Sequence, residues 1–329
     1  MQSFRTIFPP FEADFDLNHQ NQILSIGSCF AEHISGRLSK LKFQSILNPF
    51  GIVYNPISVL DTLKWLNSDK NFSENDLFEH QGLWHSFKHH GQFSNPNKLD
   101  GLSKINDGLK EGRAFLKKVD RLILTFGTAH VFESKKTGKV VANCHKLPSQ
   151  QFIRRRLSTE EVYECLNQIF EIIRNINPQT KIILTVSPVR HIRDGLVENQ
   201  KSKATLLLSI DKLLKHNPKS AFYFPSYEIV LDDLRDYRFF KKDLIHPNDM
   251  AIQYVWEYFE KAFFNEKTLD LNRKIEKIQN SVAHRPLHIQ SEAHQSFIRN
   301  QLLKIEELES GNLSLDFTKE RKSFESQLI

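Results

Sequence analysis

The sequence predicts an α/β protein with a doubly wound parallel sheet, on three observations. Five short apolar runs, 22–26, 43–47, 121–126, 181–186 and 221–224, have the length and composition of strands. Their nearly unbroken apolar character marks strands covered on both faces, as in a parallel sheet. Amphipathic stretches at helical spacing (28–41, 158–175, 201–216 and 247–264) lie between or after them, the alternation that builds such sheets.

Taken in order, Ile23-Leu24-Ser25-Ile26 runs into Gly27 and then Ser28. Phe30, Ala31, Ile34, Leu38 and Leu41 then fall on one face of a helix. The second strand leads to Asn48-Pro49-Phe50-Gly51. Residues 57–118 interrupt the rhythm as an insertion, with helices over 57–66 and 104–118. Between them, Trp84-His85-Ser86-Phe87 and His89-His90 read as a hairpin or an irregular loop. The third strand ends at Gly127-Thr128-Ala129-His130, and Ser158-Thr159-Glu160-Glu161 opens a helix with acids in its first turn. The fourth ends at Ser187-Pro188-Val189-Arg190-His191. Beyond about Asn265 the chain turns charged and helical, with helices over 269–278 and 291–308 separated by Pro286. The expected organisation is a domain over 1–264 and a helical extension over 265–329, its last dozen residues disordered.

Composition narrows the function classes. With 329 residues, 40% of them hydrophobic and 26 phenylalanines, the chain can bury a large core. A net charge of +6 permits an acidic partner. The only compact basic run, Arg154-Arg155-Arg156, reads as a solvated approach to a helix, so no nucleic-acid partner is expected. Cys29, Cys144 and Cys165 have neither the number nor the spacing of a disulfide framework or a Cys-x-x-Cys metal site. No signal-like start and no run of about eighteen apolar residues occurs, so the expectation is a cytoplasmic protein without a membrane span.

Ligand sites of doubly wound sheets lie beyond the carboxyl ends of the strands. Ser28 sits at such an end, where first-turn N–H groups and the helix dipole favour negative charge. That suits a nucleophile whose reaction develops an oxyanion, and it equally suits a helix cap. Asp243-Leu244-Ile245-His246 supplies a carboxylate and an imidazole that can face each other in a tight loop. Read alone it is a cap beside a surface histidine; with Ser28 it gives the order Ser, Asp, His of a triad. Cys29 is read as structural. His145 and His191, beside strand ends, suit substrate contact or plain structure equally. Arg190 can bind an anionic group or pair with Asp194 or Glu198. Strand alternation would put His85 and His89 on one face and His90 on the other, but no acidic partner stands at metal-site spacing, so no metal ligands are assigned. Trp84, Phe87 and Phe93 are expected in the core or at a pocket's lip.

Gly27-Ser28-Cys29-Phe30-Ala31 is the signature of the GSCFA family, which resembles the SGNH (GDSL-like) hydrolases. The likeness extends through 48–56, Gly127-Thr128-Ala129, Asn143-Cys144-His145-Lys146, 187–191, Ser226-Tyr227-Glu228 and 243–247. It implies a flavodoxin-like three-layer α/β/α sandwich and a serine esterase or acyl-transfer site. Ser28 is then the nucleophile, His246 the base, Asp243 its orienting group, and Gly51 a backbone oxyanion donor. The block III Gly-x-Asn falls at Gly127-Thr128-Ala129, where alanine replaces the side-chain donor. His130, Asn143 and His145 are the candidate replacements, and the N–H of Ser28 or Cys29 could complete a hole. The implied substrate is an acyl ester of a small molecule or carbohydrate, with no metal or organic cofactor. Acyl transfer by the same triad, a non-catalytic binding module, and oligomerisation through the C-terminal helices remain open.

Overall fold

The computed structural model describes residues 5–284, 286–312 and 314–329. In chain order its strands are β1 (Gln22–Gly27), β2 (Gln44–Leu47), β3 (Phe78–His80), β4 (Leu83–His85), β5 (Arg121–Phe126), β6 (His130–Ser134), β7 (Val140–Val141), β8 (Phe152–Arg156), β9 (Lys181–Val186) and β10 (Ala221–Tyr223). Its helices are α1 (Cys29–Lys40), α2 (Pro56–Leu66), α3 (Lys98–Leu116), α4 (Thr159–Ile176), α5 (Leu196–His216), the single turn α6 (Ser226–Glu228), α7 (Asp249–Phe263), α8 (Glu266–Ala283), α9 (Glu292–Gly311) and α10 (Thr318–Glu325).

The five predicted strands form one parallel sheet in the order β10-β9-β5-β1-β2. The strand side chains alternate between two apolar layers, which is why their sequences are apolar throughout. Ile23, Ile123 and Ile183 meet α1 and α7 on one face. Leu24, Leu122, Leu124, Ile182 and Leu184 meet α2 to α5 on the other. This is the three-layer α/β/α sandwich. The chain reverses its winding between β1 and β5, the place where doubly wound sheets open a crevice.

Several local boundaries follow from caps. Ser158 and Glu161 form the capping box that opens α4. Asn97 caps α3 through the N–H groups of Leu99 and Asp100, starting that helix six residues before the predicted 104. Residues of α2 and α3 join the main core, and between these helices β3 and β4 make the hairpin.

Two expectations are corrected. Arg154-Arg155-Arg156 is not a helix approach; it lies in β8, at one edge of the antiparallel sheet β7-β6-β8. Alternation sends Arg154 and Arg156 to Asp194 and Glu198, and Arg155 to Glu133 and Glu161. The last dozen residues are not disordered but carry α10, because Phe324 is fully buried in a small core with Ile275, Ile278, Ile298, Ile305, Leu315 and Phe317. Lys42 pairs with Glu320 at 2.7 Å and ties this bundle to the loop after α1. Among the described residues, no helix is long and apolar enough to cross a membrane.

Candidate active site

The strand–helix corner is built by close approach. Gly27 pairs with Thr125 across β1 and β5. A Cβ at position 27 would lie 2.3 Å from the Thr125 carbonyl oxygen, so the corner admits no side chain. The Gly27 N–H donates to Asn48 Oδ1 at 2.8 Å, and the Ser28 N–H donates to Thr125 O at 3.0 Å. Ser28 stands at the N-cap of α1 without capping it. Its hydroxyl is buried and makes no hydrogen bond, and the residue is 1% exposed.

A second close approach encloses that serine. A methyl on Gly127 would lie 2.9 Å from His191 Nε2, 3.3 Å from Ser28 Cβ and 3.4 Å from Tyr54 Cδ1. These groups converge on the glycine from the loops after three strands. The Tyr54 carbonyl accepts from Gly127 N–H (2.8 Å) and Thr128 N–H (3.1 Å). From the other side, Lys203 Nζ donates to the carbonyls of Gly127 and Ser187, each at 2.6 Å. Lys203 is fully buried, and burial pulls its ammonium from 10.5 down to about 7, opposed by the Cys29 thiol group.

Asp243 and His246 do form a pair. Asp243 Oδ2 meets His246 Nδ1 at 2.7 Å, while its Oδ1 accepts the N–H groups of Ile245 and His246 at 2.9 and 3.0 Å. Those backbone bonds, with the imidazole, hold the carboxyl at about 2. His246 lines a cavity of about 690 Å³ together with Cys29, Tyr54, Asn55, Thr128, His130, Asn143, His145, Arg190 and His191. Cys29 rather than Ser28 faces this space, and the serine–histidine hydrogen bond is not formed. The imidazole stands 41% exposed on its loop, whereas the serine is buried.

The expected oxyanion donors are rearranged. The Gly51 N–H is already given to Asn48 O (2.7 Å), that of Gly127 to Tyr54 O, and that of Ser28 to Thr125 O. Cys29 is the first residue of α1, so its N–H has no intrahelical acceptor. Ala129 is fully buried, its N–H donating to Ser202 Oγ at 2.7 Å, so position 129 does not reach the cavity. Asn143 accepts the His145 N–H through Oδ1 (2.9 Å), leaving its NH₂ for the cavity. His145 is packed instead: Nε2 meets Ser86 O at 2.8 Å, and burial holds the ring at about 4. His130 is half-buried, with its pKa lowered mainly by burial. Burial, with Lys203 next, holds His191 at about 4 and therefore neutral.

Three neighbours were not anticipated. Asn55 caps α2 through Oδ1, which accepts the Ser58 N–H at 2.9 Å, and its NH₂ remains free at the cavity wall. Tyr54 meets His191 edge to face at 5.4 Å. Lys203 follows Asn199 and Ser202 and precedes Leu206, Ile210 and Leu213 on the buried stripe of α5. A lysine at that spacing is the one sequence signal that points to it.

The remaining histidines have local partners. His85 lies between Ser94 Oγ (2.7 Å) and His80 O (3.1 Å). His89 packs among Phe50, Phe72 and Phe93, where burial drives it to about 3, and His90 lines the cavity. Arg190 pairs with neither Asp194 nor Glu198, which serve Arg154, Arg156 and Lys201.

Fold and cavity define an α/β-sandwich protein with a cavity at the switch point of the sheet. The chain belongs to the GSCFA family, matching it over residues 22–259, and matches the GSCFA domain protein, C-terminal domain, over 275–329. No curated protein matches the chain.

Proposed function

We propose that this chain is an SGNH-type serine acyl hydrolase. The observation that carries the reading is the Asp243–His246 pair at 2.7 Å, whose imidazole lines the same cavity as Cys29, the residue next to Ser28. In the reaction, Ser28 Oγ attacks the ester carbonyl and His246 Nε2 takes its proton. Asp243 fixes the tautomer and stabilises the imidazolium. The oxyanion develops beside the Cys29 N–H, with the NH₂ groups of Asn55 and Asn143 as side-chain donors in place of the absent block III asparagine. Collapse expels the alcohol, which takes the proton from His246. Water, deprotonated by the same imidazole, then releases the acid and restores Ser28.

Because the Ser28 hydroxyl is unbonded, this reading requires a working state in which His246 comes onto Ser28. Apo hydrogen bonds of catalytic groups commonly tighten only when substrate binds. The same observation favours, as a second reading, a binding module that keeps the fold without turnover. Fluorophosphonate labelling and a panel of short aryl esters separate the two. The hydrolase reading expects label on Ser28 and turnover lost in both Ser28→Ala and His246→Ala. Folded protein that neither labels nor turns over sinks it. Product analysis with added alcohol acceptors distinguishes hydrolysis from acyl transfer.

A further inference from the structure

The cavity has a charge composition that ester cleavage alone does not require. Lys146, Arg154, Arg190 and Arg193 line it, and among the described residues no aspartate or glutamate does. Arg154 is neutralised by Asp194, which accepts from both its Nε and a terminal nitrogen. Glu198 is engaged by Arg156 at 3.3 Å and Lys201 at 2.7 Å. Asp243 is held by His246. Among the described residues no carboxylate forms an ion pair with Arg190 or Arg193, although Asp194 attracts Arg193 through space; both guanidiniums lie over aromatic rings, 5.8 Å from the Phe240 centroid and 5.3 Å from that of Phe132. Stacking fixes the plane of a guanidinium while leaving its N–H fork free. Buried His145 and half-buried His191 are held neutral and add no further positive charge to the wall.

Two aromatic-backed guanidiniums three residues apart, beside a lysine, are suited to an oxyanion group, which they meet with paired charge-assisted hydrogen bonds. We propose that the cavity selects esters that also carry an anionic group (carboxylate, sulfate or phosphate) and that Arg190 and Arg193 bind it. The word ester rests on the hydrolase reading; the anion rests on the cavity's own charge.

Two measurements test this separately. In the first, Ser28→Ala protein is titrated calorimetrically with benzoate, phenyl sulfate, phenyl phosphate and neutral benzyl alcohol. At least one anion binds about tenfold or more tighter than the alcohol, the scale of one or two charge-assisted hydrogen bonds. In Arg190→Gln/Arg193→Gln that margin falls about tenfold or more, and in Arg190→Lys/Arg193→Lys part of it returns. Equal binding of anions and alcohol, or a margin unmoved in a glutamine variant that melts like the parent, overturns the inference. The order among the three anions identifies the oxyanion.

In the second, kcat/KM is compared for aryl acetates that differ only in carrying a neutral or an anionic ring substituent. The anionic ester is preferred by about tenfold or more, and the preference collapses toward unity in the glutamine variant. Turnover of neutral esters through Ser28 without anion binding or preference overturns the anion site and leaves the hydrolase standing. Anion binding without any Ser28-dependent turnover does the reverse.

Discussion

Lys203 Nζ donates to the carbonyl oxygen of Gly127 at 2.6 Å, from a buried position. The same nitrogen holds Ser187 O, so one side chain of α5 ties together the loops that follow β5 and β9. Lysine is here a strut for the cavity floor, set in the apolar stripe of a helix.

That strut gives stability a pH dependence of known sign. Lys203 is pulled from 10.5 to about 7 by burial. Between those values the unfolded chain binds more protons at this residue than the folded one, so stability rises with pH across the window. The full effect is on the order of 5 kcal/mol, at about 1.4 kcal/mol per pH unit of separation. Guanidinium unfolding of wild type and Lys203→Met from pH 6 to 10 checks it. Wild type gains on the variant as pH rises, above a constant offset from the two carbonyls the variant leaves unpaired. A difference independent of pH means that the ammonium is not depressed.

Ser28 should show function held against stability. Its buried hydroxyl has no partner, and an unsatisfied buried group is unfavourable. Ser28→Ala therefore stabilises the fold by about 1 kcal/mol while removing activity. A destabilised Ser28→Ala would show that the hydroxyl is satisfied in solution.

Asp243→Asn leaves the imidazole without its carboxylate. Ester turnover falls by roughly 10³- to 10⁴-fold with the fold intact, because the ring loses its tautomer and the stabilisation of its cation. Nitrogen chemical shifts of the His246 ring report the tautomer directly. An unchanged tautomer in the variant would rule out the orienting role. The wild-type carboxylate, lowered from 3.8 to about 2, contributes its stabilisation above about pH 4 and loses it as pH falls through 2.

Phe324→Ala opens the small C-terminal core. Truncating a fully buried phenylalanine costs about 3–5 kcal/mol. Limited proteolysis then cuts first within 315–329 while the α/β core resists. Unaltered protection of that segment would mean that the bundle does not depend on this ring.

The sheet was legible because its five strands are buried on both faces, which writes continuous apolar runs into the sequence. Phe43 and Phe224 were each placed one residue beyond the strand they adjoin. The start of α5 was missed by five residues because it opens at Gly195 without a side-chain cap and exposes Leu196 and Val197. Strand β8 was missed because three adjacent arginines look solvated until their alternate carboxylate partners are seen. At the candidate site, the strand–helix corner at Ser28 and the Asp243–His246 pair were readable from sequence spacing. The engagement of the Gly51 N–H and the freedom of the Asn55 NH₂ were not, since donor accounting needs the loops in place. The ion pair with Arg190 failed for the same reason: Asp194 is taken by Arg154 and Glu198 by Arg156, both some forty residues earlier in the chain, with Lys201 also on Glu198.

For anyone redesigning this pocket, the contact between position 27 and the Thr125 carbonyl divides the wall into fixed and adjustable parts. The residue ahead of the serine is closed to mutagenesis, since even a methyl collides with the neighbouring strand. An acidic residue therefore cannot be introduced there without breaking the corner. Selectivity and rate have to be tuned from the opposite rim, at Asn143, Arg190 and Arg193, whose side chains border open space.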